Sequence, residues 1–499
     1  MFFLGVICLI YLAHALYYWE WVEDDAFISL RYAQNFVNGS GLVFNPGERV
    51  EGYSNLGWVL YASLAIKLGL EPLVVLRITA LLAGLAALVL SWRAAGILAS
   101  KAKMSALFAP LFLALNPMLP RHSTTGLETV PFAALIMAGF VTSTGKPTST
   151  NSGIFLLLLV LLIFMRPEGV VFALLFLLWR HVGSGIGTGP APKPTSTLMW
   201  IEFLAAFVVV TALFAWKWSY YGDPLPNTFY AKMTGEGRAF VEGTHYTLDW
   251  LRENGGAILA GLFLANLLNR KFPRAFLFAA VIVAVQAGIV IAAGGDWMHF
   301  YRFFVPVMPL LAAGCAAGLG AIILLRQQVS GAQNPVGKWS LIIVLAGTMA
   351  AGYVNVYKVE RATGRAVMPF VKSGSYLTDG YRQTARWIVD NTPPGASVAL
   401  CDIGLVGFHS GRRIVDMFGL IDPHISRLDG RQHFKSDPEY VLGKHPDLVV
   451  LVASENDEFI RIPDAAMFAD PDFSRKYTLV KTIPIRFRNE TVRIYRALL

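Results

Sequence analysis

Long apolar runs separated by short polar loops dominate the chain from residue 2 to about residue 356. They fall at 2–18, 73–92, 105–118, 129–143, 153–165, 168–180, 198–216, 256–268, 275–293, 303–325 and 339–356. A straight crossing of a bilayer takes about 20 apolar residues, so the shorter runs need flanking turns or a locally thinned membrane. The first run lacks a basic segment before it and a small-residue cleavage site before Glu20, and reads as a retained transmembrane helix. The stretch 56–68 is also apolar, but as a further crossing it would invert everything after it. It is expected to lie in the interface, with Trp58 and Tyr61 at headgroup depth.

The pair of runs at 153–181 is interrupted only by Met165-Arg166-Pro167-Glu168-Gly169. Two half-length helices meeting at this turn would leave charged backbone below the membrane surface. Such backbone is tolerated only where protein or a wet cavity surrounds it, so the turn predicts a hydrated cavity. From about residue 357 the pattern becomes that of a soluble fold. A helical apolar period over 376–391 stops at Pro393-Pro394-Gly395, and strands are expected at 397–401, 448–452, 478–485 and 491–496. The predicted organisation is a transmembrane domain over 1–356 and a small α/β domain over 357–499. The first polar loop spans 19–55, with the interfacial helix continuing to about 70.

Charge sets an expected orientation. The linkers 93–104, 143–152, 180–197, 269–274 and 326–338 hold 11 basic residues and no acid; the opposite loops hold 9 basic and 14 acidic residues. Positive-inside bias puts the acid-free set in the cytoplasm. Eleven crossings follow, with the N-terminus inside and the C-terminal domain outside. Composition agrees with a membrane class: 499 residues, 55% hydrophobic, 15% charged, mean hydropathy +0.52. The net charge of +9 is scattered between apolar runs, which argues against nucleic acid. Cys8, Cys315 and Cys401 build neither a disulfide framework nor a metal cluster. No Walker or dinucleotide fingerprint is present, and 183–197, rich in Gly, Pro, Ser and Thr, reads as a flexible loop.

The richest candidate chemistry is the first loop, Glu23-Asp24-Asp25 and onward to Arg31. The plain reading is that one Asp caps a helix ending near Gly39 while the other is favoured by its dipole. A carboxylate there is also well placed to accept a proton. Cations at Arg302, His299, Lys232, Arg166, Arg121 and His122 are candidates for gripping an anionic group, and Glu128 for holding hydroxyls. Each has a structural alternative: Arg302 pairing with Asp296, Arg166 with Glu168, Lys232 snorkelling, Glu128 as a helix-terminal acid. Asp402 and Asp416 sit at apparent strand ends, where they read first as turn formers. Asp24 and Asp25 could hold a divalent cation, but no third ligand lies close in sequence.

Three segments carry a family resemblance. Asp24-Asp25 and Arg31, followed by Gly41-Leu42-Val43-Phe44-Asn45-Pro46-Gly47-Glu48-Arg49-Val50-Glu51, resemble the first outer loop of the mycobacterial terminal β-(1→2)-arabinofuranosyltransferases, members of the GT-C superfamily. Gly294-Gly295-Asp296-Trp297-Met298 with Arg302 and Pro306 is similar to a second motif of that group. Pro226-Asn227-Thr228-Phe229-Tyr230-Ala231-Lys232 resembles a segment of its bacterial homologues. Gly52-Tyr53-Ser54-Asn55 departs from the pattern, and the C-terminal region is shorter, which leaves the sugar open. The resemblance implies a GT-C fold in a bacterial plasma membrane and an inverting transfer of a sugar, with arabinofuranose as the family's sugar. The donor would be a polyprenyl-phosphate carrier and the acceptor a cell-envelope glycan or lipid. It implies Asp24 as general base, Asp25 orienting the acceptor or tuning Asp24, and basic residues on the leaving phosphate. Rival readings are a transporter or flippase, which usually carries ionisable groups near mid-bilayer and internal repeats, and a non-catalytic envelope or motility factor on the same fold.

Overall fold

The structure, a computed structural model, describes residues 2–98, 105–145, 149–181, 196–232, 238–268, 274–298, 300–330, 370–431, 433–456, 458–459, 461–485 and 490–498. The expected crossing at 339–356, the domain boundary near 357, the loop at 183–195 and His299 lie outside the described residues.

Among the described residues, four helices are long and apolar enough to cross a membrane: Pro72–Leu98, Thr197–Tyr221, Arg274–Ala292 and Arg302–Gln328. Seven shorter apolar helices accompany them there, among them Phe2–Tyr17, Thr129–Ser143 and Gly256–Leu268. Burial separates their roles. In the most apolar stretch of Arg302–Gln328, 78% of the residues are buried, whereas in that of Thr197–Tyr221 11% are, and Trp200, Leu204 and Phe207 turn outward. An apolar surface of that extent suits lipid rather than water.

The hairpin expected around Arg166 is present. Helices Ser149–Met165 and Gly169–His181 pack together, joined by the turn Arg166-Pro167-Glu168. Gly169 permits the tight return: a Cβ there would lie 1.9 Å from the Leu162 carbonyl oxygen. The stretch Leu56–Lys67 is a helix, but the expected interfacial position of Trp58 is not what the fold makes of it. Trp58 is 1% exposed and donates its indole N–H to Gly126 O at 2.9 Å, so protein rather than headgroups surrounds it.

The C-terminal domain is a five-stranded mixed sheet of order β2-β1-β3-β5-β4, with β1 Ser397–Leu400, β2 Arg413–Asp416, β3 Leu448–Ser454, β4 Tyr477–Ile485 and β5 Glu490–Ala497. β2, β1 and β3 run parallel, while β5 pairs antiparallel with β3 and with β4. The apolar run Leu448–Ala453 of β3 suits its central position, covered on both faces. Helices Phe370–Asn391 and Ile403–Ser410 pack on each other.

The two domains meet along helix Asp24–Val37. Its N-cap is Glu23, so Asp24 and Asp25 sit in the first turn and neither caps it. Asp24 instead caps a different helix. Its Oδ2 accepts the Gly404 amide and its Oδ1 the Leu405 amide, both at 2.8 Å, at the start of Ile403–Ser410, where Asp402 gives no side-chain cap bond. Seven residues along, Arg31 Nη2 donates to the Gly411 carbonyl at 3.2 Å. The helices therefore run parallel, with an anion at the positive end of the second and a cation at its negative end, which offsets the unfavourable alignment of their dipoles. Gly404 and Gly407 form the contact face: a Cβ on Gly404 would lie 2.0 Å from Asp24 O, and one on Gly407 2.7 Å from the Phe44 ring.

The Asn-Pro-Gly-Glu segment also serves this junction. Asn45 Nδ2 donates to Ile414 O at 2.8 Å and its Oδ1 accepts the Ile414 amide at 2.9 Å, so one side chain pairs the outer edge of β2. Glu48 meets Arg413 at 2.6 Å. Asn227, of the Pro-Asn-Thr segment, donates to Gly419 O at 2.8 Å and Leu420 O at 3.0 Å.

Gly404→Ala is expected to force the two helices apart, since overpacking of this kind costs about 1–3 kcal/mol and also lengthens two charge-assisted hydrogen bonds. Hydrogen exchange at the Leu405 amide should quicken at least tenfold. Gly395→Ala, in open space, should leave it unchanged.

Candidate active site

The first turn of Asp24–Val37 opens onto a cavity of about 80 Å³. Membrane-domain walls come from Ser29, Asn55, Glu128, Arg166, Lys232 and Arg302; the C-terminal domain closes it with Asp402, Phe418 and His433. The site is thus shared between domains, and the Asp24 clasp fixes its width.

Asp25 is the carboxylate that faces the opening. Its side chain is 31% exposed and its Oδ2 lies 3.9 Å from Arg302 Nη1. Burial pushes its pKa up to about 6, against the pull of Arg302 and Lys232. Solvent reaching the exposed third of the side chain works against that rise. For Asp24, burial again acts first and the charge of Asp402 adds to it, pushing the pKa up to about 7; the two amide bonds act the other way.

The cations are set by acids behind them. Arg302 Nε donates to Asp296 Oδ2 at 2.7 Å, and Asp296 is 1% exposed. This pairing is the structural alternative expected from the sequence, and it coexists with a place on the cavity wall. The loop that delivers Arg302 is wound tightly: Gly294 and Gly295 take φ of 79° and 81°, and Phe300 and Tyr301, with side chains that disfavour it, take 60° and 50°. Arg121 stacks 4.1 Å from the centroids of both the Phe300 and Trp21 rings, supporting this conformation from behind.

Arg166 joins Glu128 and Glu168 at 2.5 Å each. Asn55 Nδ2 donates to the other oxygen of Glu128 at 2.7 Å and Asn55 Oδ1 accepts from Ser29 at 3.1 Å. A continuous network therefore runs from the helix of Asp25 to the turn of the hairpin. Lys232, at the end of helix Asn227–Lys232, has no carboxylate within ion-pairing distance among the described residues. Burial and the charge of Arg302 lower its pKa. An unmatched ammonium in this setting gains from an anionic ligand.

Of the residues expected at the site, Asp24, Asp25, Glu128, Arg166, Lys232 and Arg302 line the cavity. Glu168 and Asp296 stand behind it as partners of Arg166 and Arg302. Arg121 and His122 do not line it: Arg121 faces Glu23 at 3.6 Å, and His122 Nε2 lies 3.4 Å from Phe300 O, both fully inside the protein. Asn55 and His433 were not singled out from the sequence; neither belongs to a spacing that marks a site. Asp402 was read as a turn former, yet it projects toward Asp24, held by Tyr381 and Arg461. His433, at φ 66°, lies between Trp297 and Phe418, with ring centroids 5.4 and 4.5 Å away. Burial lowers its pKa to about 4, so it meets the cavity as a neutral ring. Among the described residues no three His, Cys, Asp or Glu side chains converge as a metal site needs. The arrangement can accept a proton at Asp25 while holding an anion on Arg302, Lys232 and Arg166.

Residues 374–495 match the model of a domain of unknown function, DUF8728, which is confined to the C-terminal domain. No curated protein sequence matches the chain. Solved structures match over almost its whole length. ArnT from Cupriavidus metallidurans bound to undecaprenyl phosphate superposes with a TM-score of 0.56 at 14% identity, covering 99% of this chain and 97% of that one. The mycobacterial arabinofuranosyltransferase AftD gives 0.52 at 14% identity, covering 99% of this chain but 40% of the much longer AftD. At such identity the likeness speaks for architecture, and the chain is accordingly a polytopic membrane protein of the GT-C fold with a small C-terminal α/β domain.

Proposed function

We propose that the protein is an inverting glycosyltransferase that moves a sugar from a polyprenyl-phosphate carrier to a cell-envelope glycan or lipid, at the outer face of a bacterial plasma membrane. The observation that carries this reading is Asp25 opening onto the same cavity as Arg302, Lys232 and Arg166. Support comes from the fold shared with ArnT, whose structure holds undecaprenyl phosphate. Arabinofuranose is the sugar favoured by the first-loop resemblance and by the likeness to AftD. In this scheme the N-terminus is cytoplasmic and the cavity faces outward, as the charge bias expects.

The reaction is a single displacement. The acceptor hydroxyl attacks C1 of the sugar, its proton passes to Asp25, and the C1–O bond breaks so that polyprenyl phosphate leaves with the electron pair. Arg302, Lys232 and Arg166 meet the negative charge that grows on the departing phosphate. The family resemblance implies Asp24 as the base, but both its oxygens are engaged by the Gly404 and Leu405 amides. Asp25 is therefore assigned that role and Asp24 that of a positioning residue. Glu128 and Asn55 hold Arg166 in place, and Asp296 holds Arg302.

Purified protein supplied with synthetic polyprenyl-phosphate sugars and envelope acceptors should yield a glycosidic product. Movement of the lipid carrier without any such product would instead establish a flippase. Asp25→Asn is expected to lower kcat by at least about a hundredfold with little change in donor binding; undiminished turnover would remove Asp25 from the chemistry. Since the base must be ionised, kcat/KM should fall about tenfold per pH unit below about 6. Arg302→Gln should weaken binding of the polyprenyl-phosphate product about tenfold or more, because charge-assisted contacts to phosphate are the strong ones; this is read by calorimetry.

A further inference from the structure

On the side of helix Asp24–Val37 facing away from the cavity, Phe27 packs against His409, with ring centroids 5.5 Å apart. Around this contact lies a second group of basic residues that the proposed reaction does not use. Arg77, near the start of helix Pro72–Leu98, is 6% exposed. Its guanidinium carbon sits 3.6 Å over the Trp19 ring, and its Nε and Nη2 are buried without a hydrogen-bond partner. Arg382 and Arg386, one turn apart on helix Phe370–Asn391, are exposed and carry like charge on one face, an arrangement that repels unless an anion intervenes. Arg382 is close enough for its charge to act on both Arg77 and His409, and Arg386 acts on His409 as well. The one acid acting on Arg77 is the exposed Glu20, and among the described residues none of the three arginines has an ion-pair partner within 4.0 Å. A buried guanidinium with two unused donors is costly to keep and fits a forked oxyanion.

The same helix shows what carries that oxyanion. Val74, Ile78 and Leu82, four residues apart, form an exposed apolar track beside Arg77, 39%, 47% and 60% exposed. Trp19 directly follows the end of the apolar helix Phe2–Tyr17, the kind of position at which an indole suits a membrane interface. A phosphate at the arginines with acyl chain along the track is the geometry of a seated phospholipid.

We infer that Arg77, Arg382 and Arg386 form a binding site for the phosphate of an anionic membrane phospholipid, which braces the C-terminal domain against the membrane helices. The site is separate from the cavity and does not depend on the reaction proposed above. Native mass spectrometry of the full chain in detergent, titrated with phosphatidylglycerol or phosphatidylcholine, tests it. At least tenfold preference for phosphatidylglycerol is expected, with a loss of fivefold or more in Arg382→Gln, an exposed position that leaves folding intact, and in Arg77→Gln. Arg302→Gln should retain the lipid. Equal retention of both lipids, an undiminished Arg382→Gln, or loss only in Arg302→Gln would overturn the site. Displacement by millimolar inorganic phosphate with no preference among lipids would reassign it to free phosphate and overturn the lipid.

Discussion

One carboxylate holding two backbone amides governs how the rest of this molecule is arranged. Asp24 belongs to the membrane domain by sequence, but it supplies the cap that the start of Ile403–Ser410 lacks from its own chain segment. Charge-assisted hydrogen bonds are worth about 1.5–3 kcal/mol each when well made, and an uncapped, buried helix start is a standing cost. The exchange of amides for carboxylate therefore joins the two domains at one rotational setting. Because Asp25 follows Asp24 on the same turn, that setting also decides where the cavity-facing acid points. Phe27, further round the helix, meets Phe408 and His409 on the opposite side. One short helix thus serves as hinge pin, chemical wall and packing face.

The cavity follows a second rule: most of its cations rest on acids of their own. Asp296 under Arg302, and Glu128 with Glu168 around Arg166, keep the guanidiniums oriented and their charge compensated in a partly dry setting. Lys232 is the exception, held near the others by its short helix and matched by no acid among the described residues. This asymmetry leaves Lys232 as the cavity cation with no ion-paired acid among the described residues. The wound loop before Arg302, with two bulky residues in left-handed conformations, is stored strain of the kind found where a side chain must be aimed.

Much of this was legible in the residues. The interruption of an apolar run by Arg-Pro-Glu-Gly pointed to a turn shielded from lipid by protein or a wet cavity, and the turn is found with Arg166 on the cavity wall. The strands β1, β3, β4 and β5 follow their alternation or apolar runs to within two residues at either end. What the sequence hid was contact across domains. Arg121-His122 looks like a cationic pair for a ligand, yet tertiary packing uses Arg121 as a stacked support under Phe300. Asn45 and Asn227 stood in the sequence only as members of segments that carry the family resemblance, and they are docking residues. Trp58 looked interfacial because a crossing over 56–68 would invert everything after it, but burial depends on neighbours that no local pattern names. The contacts of Asp24 were hidden for the same reason: a free acid and an acid bonded to distant amides have the same spelling.

The pairing of Asn45 with the border of β2 has a bearing on how the soluble portion behaves in isolation. That amide occupies the N–H and C=O of Ile414, groups which on an open strand recruit a neighbour's backbone. Severed from the membrane portion, the C-terminal fold would present this border bare, together with the exposed start of Ile403–Ser410. The isolated module would then carry an adhesive rim, one that the intact chain keeps covered with a single asparagine.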